Sequence, residues 1–172
     1  IMGGGNQSLT SLIALDNLTS IQEHLGISNN NALVSLIGLD NVTSIGGDLL
    51  IYKNDTLTNL TGLDNVISIG GGLSISYNDA LVSLEGLDNL EAGTIDSLSI
   101  TKNSSLSSCE AEFICEYLSN PNGEIEIHHN APGCNSMAKL AYDCGTTIPC
   151  LTVGNYYFYS QEDIDYFPLA FP

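Results

Sequence analysis

The sequence predicts a mainly β chain, a right-handed parallel β-solenoid with about 24 residues per turn, closed by a small helical, disulfide-stapled C-terminal cap. Three observations predict it. Four stretches align without gaps over nine residues, LTSLIALDN from Leu9, LVSLIGLDN from Leu33, LTNLTGLDN from Leu57 and LVSLEGLDN from Leu81, at a constant interval of 24. Inside each period a short apolar alternation follows a turn: LGIS at Leu25, LLIY at Leu49, LSIS at Leu73 and LSIT at Leu98. An asparagine then recurs at a fixed offset, as Asn30, Asn54, Asn78 and Asn103.

Leu-x-Ile is a period-2 pattern that buries alternate side chains, so these segments read as short strands. The two leucine clusters of each turn are then two walls of one core. A single 24-residue unit cannot bury both, whereas units stacked at the inter-strand spacing of about 4.8 Å align leucine on leucine inside continuous parallel sheets. The right hand follows from the preference of parallel crossovers. The repeated asparagine reads as an internal ladder, each amide bonding backbone groups at a turn of its own or the next rung. Ile125-Glu126-Ile127-His128-His129-Asn130 fits the same pattern, which makes Asn130 the fifth member. Asn6 holds the equivalent position one rung before Leu9, and upstream residues are expected to cover the unpaired edge there.

Between residues 106 and 125 the pattern turns helical. Ser107 stands three residues before Glu110 as a capping box, with Phe113, Ile114, Tyr117 and Leu118 on one face, and Pro121 and Gly123 end the helix. A second short helix is predicted over about residues 135–142. Cys109, Cys115, Cys134 and Cys144 fall among the first two helices and read as two disulfides of a cap, with three pairings open. The domain division is therefore 1–145, a leucine-rich solenoid with its cap, and 146–172, a linker and the start of a following module.

The composition limits partners. The chain of 172 residues has 20 acidic residues, three lysines and no arginine, for a net charge of −17. Such a surface repels nucleic acid and anionic membranes. No apolar run approaches the ~18 residues of a membrane span, so no membrane insertion is predicted. Five cysteines in so small a chain point to an oxidising compartment, hence to a secreted or cell-surface protein. The opening at Ile1 rather than Met reads as a mature fragment or a segment of something longer, with adjacent modules of the same polypeptide as neighbours.

The repeat LxxLxGLDNLTSIGGDLxIxxNxxL, followed by SSCEAEFICEYL and EIEIHHNAPGCN, resembles the receptor L-domain-like, leucine-rich-repeat-like solenoids of large bacterial surface proteins over roughly residues 6 to 144. The resemblance implies export, in many members by the type IX route, and an architecture similar to the ligand-binding L domains of growth-factor receptors. It also implies that Cys150 to Pro172 opens a second such array, with a short helix at Ser160-Gln161-Glu162-Asp163 and Cys150 bonded to a cysteine outside this chain.

Candidate chemistry is sparse. Asp16, Asp40, Asp64 and Asp88 recur in Asp-Asn pairs and read as turn caps, with a Ca²⁺ ladder as the weaker alternative. The four cap cysteines lack the C-x2-C knuckle of structural zinc, so disulfides are favoured. Neither a nucleophile with its base nor an asymmetric carboxylate pair stands out. The chain is therefore not read as an enzyme, and no cofactor is implied. Aligned by rung, the residues trailing the second strand stack Tyr52 and Lys53, then Tyr77, Lys102, His128 and His129, in one column. Aromatic faces beside donors suit sugar rings or a protein partner. The leading expectation is thus a recognition or adhesion module for an extracellular polysaccharide or protein. A purely structural spacer and an accessory binding module of a secreted hydrolase are the alternatives.

Overall fold

In the computed structural model residues 5–149 and 157–170 are described. They hold eight short strands and three α-helices. The longer strands β2 (Leu25–Ser28), β4 (Leu49–Tyr52), β6 (Gly72–Ser76), β7 (Ser97–Thr101) and β8 (Ile125–His128) form a five-stranded parallel sheet in the order β2-β4-β6-β7-β8. Two-residue strands β1 (Ser20–Ile21), β3 (Ser44–Ile45) and β5 (Ser68–Ile69) form a second parallel sheet. In the larger sheet like pairs with like: Leu25, Leu49, Leu73, Leu98 and Ile125 lie in one row and Ile27, Ile51, Ile75, Ile100 and Ile127 in the next. Both rows point into the core, where Leu49, Ile51, Ile75 and Ile100 are fully or almost fully buried. Full burial of each contributes about 1.5–3 kcal/mol.

The chain is α/β with parallel sheets rather than mainly β. The strands run only two to five residues, because most of each repeat is spent on turns. The LxxLxGLDN stretches are such turns: Leu33, Leu36, Leu39 and Val42 point inward in succession while the backbone folds on itself, as with Leu39 N–H to the Leu36 carbonyl at 3.1 Å. Gly38, Gly62 and Gly86 sit in these turns at φ +113°, +111° and +107°, and a Cβ on Gly62 would meet the Leu36 carbonyl carbon and oxygen at 2.3 Å. The aspartate two residues on closes each turn: Asp40 and Asp64 accept from the amides of Gly38 and Gly62 at 2.6 and 2.7 Å, and Asp88 from Gly86 at 3.2 Å. The first repeat has Ala14 instead of Gly, forms a 3-10 turn at Ile13–Leu15, and Asp16 accepts instead from Asn17 Nδ2.

The asparagines form a continuous buried file. Each backbone N–H of Asn30, Asn54, Asn78 and Asn103 donates to the Oδ1 of the next asparagine, the last being Asn130, at 3.0–3.2 Å. Asn54, Asn78 and Asn103 also donate from Nδ2 back to the carbonyls of Ile27, Ile51 and Ile75 at 3.0 Å. Among the described residues no buried side-chain oxygen or nitrogen of the file lacks a hydrogen-bond partner, where an unmet group costs about 1–3 kcal/mol.

The file ends where Asn130 N–H meets Asn135 Oδ1 at 3.1 Å. Asn135 is thereby diverted from the helix predicted to begin there, and α2 (Met137–Asp143) starts later, with Ser136 Oγ accepting from Lys139 N–H. The predicted capping box at Ser107 and Glu110 does not form. Ser108 instead bridges Ser83 in parallel and Ser107 N–H reaches the Val82 carbonyl, holding this segment extended as one more rung. Accordingly α1 (Glu112–Ser119) begins after Ala111 without a side-chain cap, burying Phe113, Ile114, Tyr117 and Leu118. Disulfide Cys109–Cys134 ties the segment before α1 to the segment before α2, and Cys115–Cys144 ties α1 to the residue after α2. The helix predicted at residues 160–163 extends as α3 (Gln161–Ala170); Asp163 accepts from Tyr159 and Ser160 N–H, and Ser160 Oγ accepts in return from Asp163 N–H. It packs on α2 through Tyr166, whose ring lies 5.1 Å from that of Tyr142. No helix among the described residues is long and apolar enough to cross a membrane. Cys150 lies outside the described residues.

Candidate functional site

The five longer strands end in one unusual conformation. Asn29, Lys53, Tyr77, Lys102 and His129, each the residue after its strand, adopt φ between +53° and +59°. This left-handed geometry costs a side-chain-bearing residue roughly 1 kcal/mol or more. The asparagine file requires it: the chain must turn inward within one residue while that residue's N–H stays in the ladder. Lys53 N–H, for example, still donates to the Ser76 carbonyl at 3.1 Å and Lys102 N–H to the His128 carbonyl at 3.1 Å. The turn leaves Lys53, Tyr77, Lys102 and His129 exposed, with Tyr52 and His128 half-buried beside them.

Tyr52, Lys53, Tyr77 and Lys102 meet in one cluster. The Tyr52 and Tyr77 rings are in edge contact at 5.4 Å between centroids. Lys53 Nζ lies 5.1 Å from the Tyr52 centroid and 5.7 Å from that of Tyr77. Lys102 Nζ approaches Tyr77 from the following rung, 4.8 Å from its centroid, and donates to its hydroxyl at 2.6 Å. The hydroxyls of Tyr52 and Tyr77 raise the pKa of Lys53 and Lys102 respectively above the ordinary lysine value, so both ammoniums are fully charged at neutral pH.

His128 and His129 form the next step of the column. Their Nδ1 atoms lie 2.7 Å apart, and such a contact needs one donor and one acceptor, so one ring is neutral there. Burial, and then the neighbouring His129, lower the pKa of His128. Tyr159, from the segment before α3, packs on both rings at centroid distances of 4.1 and 5.0 Å. Nothing in the sequence places Tyr159 here, since it lies 31 residues beyond the end of the strand and outside the repeat.

The other predicted positions fall elsewhere. Asp40, Asp64 and Asp88 lie along the turns, each with an oxygen committed to a backbone amide. Among the described residues no group of three or more His, Cys, Asp or Glu is placed to hold a metal. His24 is in a turn, its Nδ1 accepting from Asp48 N–H at 2.9 Å. A cavity of about 490 Å³ opens at the first repeat, lined by Leu9, Leu12, Leu18, Ile21 and Leu25; these are core positions of the repeat, exposed on the side where no earlier rung is described.

The chain matches no protein-family model, no curated protein and no solved structure. What the column offers is aromatic surface, two charged donors and a histidine pair, carried on one parallel sheet.

Proposed function

We propose that this chain is a right-handed parallel β-solenoid of leucine-rich-repeat-like, receptor L-domain-like character, and that it serves as a non-enzymatic recognition module at a cell surface or in a secreted protein. Its ligand is a glycan bound along the column from Tyr52 to His129. The observation that carries the reading is the Tyr52–Tyr77 contact: two rings on consecutive rungs, with Tyr77 38% exposed, present a continuous aromatic edge flanked by hydrogen-bond donors. Sugar rings offer apolar C–H faces and hydroxyl rims that suit such a surface. The turns that present these side chains are braced by the buried asparagine file, so little ordering entropy is lost on binding. The two disulfides support an oxidising compartment.

Screening the purified chain against a panel of polysaccharides, beside a Tyr52→Ala/Tyr77→Ala variant, tests the reading. Specific binding that the double variant loses while staying folded is the expected result. Silence across the panel from a folded chain overturns it.

A further inference from the structure

The three lysines of this acidic chain are not used alike. Lys139 forms a salt bridge with Asp143 one helical turn away. Among the described residues Lys53 and Lys102 form none, although the chain carries 20 acidic residues. Both stand over tyrosine rings instead, and both approach the same ring, Tyr77, Lys53 from the rung before it and Lys102 from the rung after. The Lys102 ammonium spends one of its three N–H donors on the Tyr77 hydroxyl and keeps two. Two rungs separate these lysines along the sheet, a distance of about 9–10 Å at the usual strand spacing. An extended β-linked glycan repeats its disaccharide over a similar length.

We infer that the column takes a polysaccharide carrying one carboxylate per disaccharide, its sugar rings lying on Tyr52 and Tyr77 and successive carboxylates meeting Lys53 and Lys102. The inference rests on the glycan-binding reading of the same column and adds the charge and spacing of the ligand. Charge also sets an upper bound on the ligand. A net charge of −17 repels a densely charged polymer, so a carboxylate on every sugar, or several sulfates per disaccharide, adds repulsion faster than two lysines add contacts. A carboxylate every second sugar matches the two ammoniums and leaves the intervening neutral ring for the tyrosine between them.

The test is titration calorimetry of the full chain with four probes: a hyaluronan octasaccharide, a neutral chitin hexasaccharide, polygalacturonate and heparin. The native protein and the variants Lys53→Gln/Lys102→Gln and Tyr52→Ala/Tyr77→Ala are compared. The inference expects hyaluronan to bind best and the lysine variant to lose about tenfold against hyaluronan, with a clearly smaller loss against the weaker-binding chitin. Equal affinity for chitin and hyaluronan, with neither altered by the lysine variant, overturns the acidic-ligand inference and leaves glycan recognition standing. Tighter binding of heparin or polygalacturonate than of hyaluronan overturns the spacing. Absence of binding by all four, with the chain folded by circular dichroism, overturns the inference; glycan recognition itself falls only if the broader polysaccharide panel is silent too.

Discussion

Asn78 Oδ1 accepts two hydrogen bonds from Asn54, one from its backbone N–H at 3.0 Å and one from its Nδ2 at 3.2 Å. The same relationship repeats up the stack, so each asparagine satisfies the rung before it and is satisfied by the rung after. Replacing Asn78 by alanine leaves the buried Asn54 N–H without a partner and frees the Ile51 carbonyl. Asn78→Ala is expected to lower stability by about 2–4 kcal/mol, read from urea denaturation. A loss below about 0.5 kcal/mol would show that water enters the file and replaces the amide.

The turn glycines admit no side chain. Gly62→Ala puts a Cβ into the Leu36 carbonyl at a φ of +111°, whereas a Cβ on Gly93 has nothing within 4 Å. Gly62→Ala is expected to cost about 2–4 kcal/mol from strain and overpacking, and Gly93→Ala to stay within about 0.5 kcal/mol of the parent. Thermal melts of the two variants check the contrast.

Cys115 and Cys144 are 29 residues apart and join α1 to the residue after α2. Cross-linking a loop of that length stabilises by about 3–4 kcal/mol on the chain-entropy account. A Cys115→Ser/Cys144→Ser variant should melt well below the parent. Added reductant should lower the parent further than the variant, which retains only Cys109–Cys134.

His128 supplies a pH dependence with a defined sign. Its folded pKa is lowered, chiefly by burial and then by His129, with Lys102 also lowering it and Glu126 and Asp163 opposing. Between the folded value and the unfolded value of about 6.5 the unfolded chain binds more protons. Stability attributable to this group is therefore complete above pH ~6.5 and falls as the pH drops toward the folded value, below which it levels off. Melting temperatures between pH 7.5 and 4.5 should show this step in the parent, and His128→Gln should flatten it.

The sequence by itself determined the repeat, the five Leu-x-Ile strands and the asparagine positions. Each is a one-dimensional regularity, and once rungs stack in register a 24-residue interval in sequence becomes a neighbour in space. It also determined that Tyr52, Lys53, Tyr77, Lys102, His128 and His129 share a column, because register alone fixes that. Three things only the tertiary structure decided. The Ser20–Ile21, Ser44–Ile45 and Ser68–Ile69 strands are too short to show a period, so their sheet exists only through pairing between rungs. The helix starts moved because Ser108 is drawn into a bridge with Ser83 and Asn135 into the end of the asparagine file, and a long-range partner outweighs a local capping preference. The pairing of the cysteines and the arrival of Tyr159 on the histidines depend on how the helices close over the last rung, a packing outcome that no local pattern encodes.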